Sequence, residues 1–592
     1  MAEPASTKSE RSAIDSAAPM GYGATRSLQR VAAAIGGLGP APLAFEPARD
    51  IPQGGVLLAL PALLAVGLLR HGPQLYQLPA GFYGLSSVFL LLALLALARL
   101  RSLEQLRYVP AGEWGNLLGL DRIPEVRTLR GKLKLLCGEA GRAARWNAAL
   151  AKEWTGQAEQ RQPQGMAFYI DGHVRVYHGE LTKLPRHYVA RQRFSMRATV
   201  DYWINALDGQ PFGYLNKEVD HGLVQALRDD VLPWLQANAP LSDQRRRRME
   251  ADPHLPRFTL IFDREGYSPE LFAELDQQRI AALTYHRYPD QDWPPEEFQE
   301  REVQLAGGPA VGMKLAERGT RLGRGRGVWV REVRKLAAGG RQIATVSTNR
   351  TGDAAAQAAA LLARWSQENF FKYMREHFGL DRLAEYGTEE IPDTVMVPNP
   401  AWRELDREVR RQHAELKRER ELLRSVTLEE PLSDEAVRYY EQFQGRRQAR
   451  IEELERALEQ LQTKRRQTAR QIAVNELPEK ERFPRLRVER KQFVDTIKMI
   501  AYRAETALAE TLREKMARRD DARALLRQIF DTEIDLAPDP DARTLTVYLH
   551  HLTQAAHDAA AGYLCEELTA TETVFPGTEL RMVYKMGSPE IP

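Results

Sequence analysis

Cysteine is all but missing from this chain. Cys137 and Cys565 are the only two in 592 residues, and they lie far apart in sequence. No disulfide framework and no cysteine-based zinc site can be built from them, and the pattern suits a reducing cytoplasm. A dominant charge sign is missing as well: 83 Lys and Arg stand against 80 Asp and Glu, for a formal net charge of +3. Bulk charge therefore names no partner, and only local clusters can argue for nucleic acid. Long uncharged apolar runs are scarce. Gly54–Leu69 is interrupted by Pro61, and Gly81–Ala98 only approaches the roughly 18 residues that a membrane-crossing helix needs. Acidic residues precede both runs, so neither occupies the place of a secretory signal. The expectation is a buried helical hairpin rather than a membrane anchor. No internal repeat is evident.

The length exceeds what one hydrophobic core usually spans and suggests roughly three or four domains. Residues 1–26, rich in Ala, Ser, Pro and Gly, read as a disordered lead. Residues 27–160 read as helical. Within them Trp114–Leu120, a turn at Asp121–Pro124 and a helix over Glu125–Glu139 fit a helix-turn-helix, with Arg127 and Arg130 as candidate DNA contacts. An ordinary basic helix packed on its neighbour fits equally well.

From 161 the pattern becomes that of strands. Met166–Ile170 ends at Asp171, and Val174–Tyr177 can fold back on it as a hairpin through Gly172 and His173, which makes His173 a turn residue. Thr199–Ala206 and Phe258–Phe262 are further strands. Leu223–Ala237 is an amphipathic helix that Pro233 should kink or shorten. Ser268, Pro269 and Glu270 open a helix as N-cap, first position and first-turn acid. The fold class expected is α/β, with a mixed sheet over 161–282 and 349–395 and a β-rich insertion at 283–348. A long helix over Asp353–Phe378 closes that core at Gly379. Residues 396–480 pattern as a helical hairpin or coiled coil, from the seam Ile451, Leu454, Leu458, Leu461 and the matching Leu405, Val409, Gln412, Leu416. Residues 481–592 read as an α+β region: a helix over Phe493–Met516, then strands at Thr544–His550 and Glu579–Met586 around a helix.

Three acidic residues stand at the right kind of place for shared chemistry. Asp171 and Asp263 end strands, and Glu368 sits within the late helix. Two-metal phosphodiester cleavage needs carboxylates that converge on hard cations such as Mg²⁺ or Mn²⁺. The three are too far apart in sequence for a local motif, so the fold must assemble them. Taken singly, each is an ordinary strand-end or helix-surface acid.

Tyr169-Ile-Asp171-Gly-His173, Phe262-Asp263-Arg-Glu-Gly266 and Trp365-Ser-Gln-Glu368-Asn-Phe-Phe371 resemble the three acidic motifs of insertion-sequence DDE transposases, in particular the branch with a β-rich insertion before the Glu. Gly55–Pro61, Leu120–Val126 and Phe575–Arg581 also resemble stretches of large transposase-like proteins. The resemblance implies an RNase H-like core that cleaves and joins DNA with two Mg²⁺ or Mn²⁺ ions held by Asp171, Asp263 and Glu368. It implies double-stranded DNA, the terminal inverted repeats and the target, as partner. A homodimer in the synaptic complex and a cytoplasmic, nucleoid-associated location follow from the same likeness. The family's Glu helix carries Tyr, Arg, Glu and Lys at a spacing filled here by Leu361, Arg364, Glu368 and Arg375. The Arg and Glu match, Tyr is replaced by Leu, and Lys by Arg. By resemblance Arg364, Lys372 and Arg375 grip the backbone beside the scissile bond. Arg324 and Arg326, with Arg321, Arg331 and Arg334 near Trp329, place DNA contacts in the insertion, whereas Arg245–Arg248 reads as solvated loop charge. Two other readings compete: a domesticated, inactive DNA-binding relative, and a membrane-associated coiled-coil scaffold built on 54–98 and 405–461.

Overall fold

The computed structural model describes residues 23–161, 165–179, 184–189, 192–217, 219–304, 310–323, 327–362, 365–382, 387–391, 393, 395–425, 434–479 and 482–589. In chain order its main elements begin with β1 (Ala48–Ile51), α1 (Leu85–Leu97), α2 (Val126–Leu136) and α3 (Arg142–Arg161). Strands β2 (Met166–Val176), β3 (Arg186–Val189), β4 (Phe194–Asn205), β5 (Pro211–Lys217) and β6 (Phe258–Phe262) follow. Next come α4 (Pro269–Gln277), β7 (Ala281–Tyr285), β8 (Gln299–Gln304), β9 (Ala310–Leu322), β10 (Val328–Leu336) and β11 (Gln342–Ser347). Helices α5 (Ala354–Leu362) and α6 (Trp365–Phe378) precede two short strands, β12 (Thr388–Glu389) and β13 (Met396–Pro398). These pair with β15 (Arg485–Leu486) and β14 (Gln471–Ala473) across the helices α7 (Pro400–Ser425) and α8 (Asp434–Gln467). The chain ends in α9 (Glu489–Arg513), α10 (Ala522–Asp531), β16 (Ile534–Asp539), β17 (Thr544–Leu549), α11 (Ala555–Ala570) and β18 (Arg581–Met586).

The fold is mixed α/β around a ten-stranded sheet. On its first half β5, β4 and β2 run antiparallel, and β2, β6 and β7 run parallel to one another. From β7 the sheet continues antiparallel through β11, β10, β9 and β8. The insertion thus extends the same sheet.

One expected turn is not there. Gly172 and His173 stay within β2, paired with Tyr202 and Asp201 of β4, so the anticipated hairpin is a single eleven-residue strand. His173 is a buried strand residue, since β4 offers the segment a longer ladder than a local turn would. The Pro233 helix does persist over Leu223–Asn238, by means of a π-helical turn at Leu227–Val231. Widening the turn accommodates a residue that has no N–H to donate. Ser268 caps α4 by accepting from the Leu271 amide at 3.2 Å.

Alternation sets the two faces of the sheet. Phe168, Ile170, Leu260 and Phe262 enter the main core, while Tyr169, Ile261 and Leu283 pack with Leu361 on the other face. Helix α5 approaches closely because its contacts are small: Ala354, Ala355, Ala358 and Ala359 lie on Val303, Met313, Leu315 and Val333. In the described part of the 353–378 region, helix runs over Ala354–Leu362 and Trp365–Phe378. Gly379 follows at φ +61, the left-handed position that favours glycine.

Helix α9 is the hub. Its Phe493 meets Tyr76, Phe89 and Trp146 at 5.2–5.5 Å, which joins the N-terminal helices to it. The apolar α1 is buried from Ser87 to Leu97 around this hub. Among the described residues no helix is long and apolar enough to cross a membrane. The chain ends share a sheet, in the order β1-β16-β17-β18. Helices α7 and α8 pair through Val409, Leu416, Ile451, Leu454 and Leu458.

Candidate active site

The register of β2 and β6 decides where two of the acidic residues fall. Ile170 pairs with Phe262 in parallel, so Asp171 and Asp263 are the next positions along adjacent strands, about 4.8 Å apart across the sheet. By the two-residue period both belong to the face of Tyr169 and Ile261, the face that α5 covers. Tyr169 donates its hydroxyl to the Ala360 carbonyl there. Each carboxylate takes the next amide: Asp171 Oδ1 accepts from Gly172 N at 2.9 Å, and Asp263 Oδ1 from Arg264 N at 2.7 Å. Asp263 leaves β6 as the N-cap of a 3-10 turn, Arg264–Gly266.

Glu368 lies in the first turn of α6 and is exposed. One turn further on, Phe371 stacks on His173, with centroids 5.1 Å apart and planes 10° from parallel. Phe370 packs on Trp203, the strand partner of Asp171, at 5.2 Å. Tyr373 donates to Glu505 of the hub helix, which Arg99 also reaches at 2.8 Å. Helix α6 is therefore clamped between the Asp171 face and α9. Asp171, Asp263 and Glu368 do not form a set whose ligand atoms all lie within 4.8 Å of one another. Among the described residues that spacing is met by Asp50, Glu533 and His550 on the terminal sheet, where His550 Nε2 is 3.0 Å from Asp535 Oδ1.

Several neighbours of the site escaped the sequence reading. His173 Nε2 is 2.7 Å from Asp381 Oδ1, just past the end of α6. Although burial raises it, Asp381 is held below the usual carboxylate range by that hydrogen bond and the His173 and Arg375 charges. Tyr202, opposite Gly172, donates to Asp220 Oδ1 at 2.6 Å. Burial, then Asp220, Glu265 and Asp171, push its hydroxyl pKa far up, so it stays protonated. Asp171, Glu265 and Asp220 thus form an acidic neighbourhood around the Tyr202 hydroxyl. Only the fold reveals this, because the three are dispersed in sequence.

The basic candidates divide. Arg127 and Arg130 are exposed on α2, with Arg130 paired to Glu104. The preceding turn is not free: buried Asp121 accepts from the Thr25 and Arg26 amides and from Arg30. Lys372 is exposed, whereas Arg375 Nε donates back to the Phe371 carbonyl of its own helix. Arg334 cannot be a DNA contact, since it is buried over Trp293 and bonded to Glu332. Arg331 is bonded to the Gly352 carbonyl and, at 3.1 Å, to that of Arg350. Arg324, Arg326 and Arg364 lie outside the described residues. Leu361, at the family's Tyr position, is buried beneath Tyr169 and Ile261, where a hydroxyl would have to find a partner. Arg245–Arg248 belongs to a helix, Asp243–Ala251, and buried Arg245 donates to the Pro256 carbonyl.

The structure thus sets Asp171, within β2, beside Asp263, just past the end of β6, with α6 packed against the same face of the sheet. A family model described as "Transposase protein" matches residues 21–588, and the chain belongs to that family. No curated protein matches it.

Proposed function

We propose that this chain is a DNA transposase of the DDE type, in which Asp171, Asp263 and Glu368 direct cleavage of element ends and their joining to target DNA. The observation that carries the reading is the parallel register of β2 and β6, which sets Asp171, within β2, beside Asp263, just past the end of β6, on the face over which the Glu368 helix is packed. The strand order β5-β4-β2-β6-β7, three antiparallel then two parallel, supports an RNase H-like core, and the sheet-extending insertion before Glu368 supports the branch.

The donor set suits Mg²⁺ or Mn²⁺, because all three groups are carboxylate oxygens and hard divalent cations take oxygen ligands. Asp171 and Asp263 would hold such ions, with Glu368 as the third donor. When bound, the ions activate the attacking water or 3′-hydroxyl and stabilise the leaving oxygen. The protein's own work is to fix the two aspartates by sheet register and to hold α6 through His173, Trp203 and Glu505. Lys372 on α6 and Arg127 and Arg130 on α2 are the described cations we assign to duplex phosphates. Arg375 is assigned the same role once released from its own helix, and Arg324, Arg326 and Arg364 complete the proposed set. The partner is double-stranded DNA, engaged by a pair of subunits.

The test is cleavage of duplex DNA that carries the sequences flanking this gene, with Mg²⁺ or Mn²⁺ added. Asp263→Ala should abolish cutting and leave DNA binding largely intact. Continued cutting by that variant overturns the site.

A further inference from the structure

Asp263 has a second neighbour across the sheet, on the side away from Asp171. Ile261 of β6 pairs in parallel with Leu283 of β7, so Tyr285, two positions on, stands level with Asp263. By the two-residue period it shares the face of Asp263, and it packs in the cluster that holds Leu361. On its other side Tyr285 pairs with Thr345 of β11, which makes β7 an interior strand. Arg264 follows Asp263 directly and lays its guanidinium over the Tyr285 ring, 5.3 Å from the centroid. Just past the same turn, Tyr267 stacks on His286, the residue after Tyr285, with centroids 5.8 Å apart and planes 18° from parallel. Ring contacts thus tie both ends of the Arg264–Gly266 turn to the end of β7.

Arg264 is exposed, and among the described residues its guanidinium has neither a hydrogen bond nor an ion pair. Arginines on the surrounding elements are committed: Arg228 to Glu274, Arg350 to Asp276, and Arg331 to two carbonyls. Stacking takes up the flat face of a guanidinium and leaves its N–H bonds, which lie in the plane, to donate sideways. The ring also removes part of the side-chain freedom that binding would otherwise have to remove. An ordered, uncommitted fork of donors suits the paired oxygens of a phosphodiester. The fork lies on the β7 side of Asp263, so it meets the strand beside the reacting phosphate rather than at it. We propose that Arg264, laid on Tyr285, grips the phosphodiester next to the one presented to Asp171 and Asp263, on the side towards the insertion. Tyr285 is the positioning residue for that grip. The assignment rests on the transposase reading above but predicts a binding property of its own.

The experiment measures the affinity of the full chain for a fluorescent duplex that carries the sequences flanking this gene, over a range of salt concentrations and without divalent metal. Arg264→Ala and Arg264→Gln should each weaken binding roughly tenfold, the weight of one charge-assisted hydrogen bond. Each should also flatten the dependence of log K on log salt by about 0.9, one phosphate contact. Arg264→Lys should keep the slope. Tyr285→Leu keeps an apolar side chain in the Leu361 cluster but removes the ring. It should weaken binding about two- to fivefold, the weight of an exposed cation–π contact, with the slope unchanged. Tyr285→Phe keeps the ring and should bind as the wild type does. Arg424→Ala, at the far end of α7, should change nothing, and melting temperatures should show all variants folded. Unchanged slopes for both Arg264→Ala and Arg264→Gln, or an equal loss with Arg424→Ala, overturn the grip. A lowered melting temperature for Arg264→Ala with an unmoved slope would reduce the stack to a staple of the turn and equally overturn it. Tyr285→Leu binding as tightly as Tyr285→Phe would overturn the positioning role of the ring. Failure of metal-dependent cutting with the slopes shifted as stated would count against the catalytic reading alone.

Discussion

His173 lies flat against Phe371, ring on ring at 5.1 Å, and this contact joins the strand of Asp171 to the helix of Glu368. His173 is the second residue after Asp171, and Phe371 the third after Glu368, so the stack fixes the spacing between the two acids. Phe371→Ala should cost about 3–5 kcal/mol of stability, as truncation of a buried aromatic does. Phe371→Leu should retain most of that stability yet lose the ring stack. The expected result for Phe371→Leu is cleavage reduced by at least about tenfold with DNA affinity unchanged, since roughly 1.4 kcal/mol of lost positioning suffices for that. Urea denaturation and single-turnover cleavage separate the two effects.

Metal removal should act on chemistry and spare binding. Chelation should stop strand cleavage, and Mg²⁺ or Mn²⁺ should restore it, because the ligand set is entirely carboxylate. Glu368→Gln keeps the shape of the side chain and removes its charge. It should bring metal-dependent cleavage to background while anisotropy with labelled duplex stays within about twofold. Glu368 is exposed at the helix start, so its loss should leave the melting temperature unmoved.

Local chemistry made much of this architecture readable. Phe258–Phe262 is a strand because apolar β-prone residues run up to a charged stop, and Ser268-Pro269 opens a helix through its cap. The Asp263 motif was visible because a strand end exposes its last polar residue, whereas Asp171, expected at a strand end, lies within β2. The path of β2 through Gly172 and His173 was not legible, since a Gly-His pair reads as a turn until β4 is present to extend the ladder. Long-range pairing also hid the charged surroundings of the site. Nothing local ties His173 to Asp381 or Tyr202 to Asp220. Arg334 misled for the opposite reason: beside a tryptophan in a basic stretch it resembles a nucleic-acid contact, yet Trp293 and Glu332 from within the insertion bury it.

Acid should loosen the clamp on α6. Glu505 is fully buried, and although burial itself works the other way, Arg99 and Arg523 hold its carboxyl below the ordinary value. A depressed carboxyl contributes stability above its unfolded pKa of about 4.3. That contribution is lost as pH falls further through the folded value, where the unfolded chain binds the extra proton. The urea midpoint should therefore drop as pH is lowered from about 5 to 3. Glu505→Gln should be less stable at neutral pH by about 3–5 kcal/mol, because it leaves two partly buried guanidiniums uncompensated. It should also show a flatter acid limb. An acid limb as steep as that of the wild type would mean that other carboxylates carry the effect.

Beneath the same face, Arg175 and Asp201 form a pair closed to solvent, with Nη2 to Oδ1 and Nε to Oδ2 both at 2.7 Å. Asn216 adds a hydrogen bond to Asp201 Oδ1 at 2.5 Å. Burying two charges costs so much that a pair of this kind adds little net stability, while removal of one partner strands the other. Asp201→Leu alone should therefore cost about 3–5 kcal/mol, and Arg175→Met with Asp201→Leu should recover most of it. The positive coupling in that double-mutant cycle, read from urea midpoints, is the measurement. If the double variant is as unstable as the sum of the single ones, the pair is not acting as a unit, and Asp495, which adds to the field on Arg175, is its working counter-charge. Recovery of stability without recovery of cleavage would place the pair's value in orientation: it fixes β2 against β4 two residues from His173, where a hydrophobic replacement packs but does not lock the register.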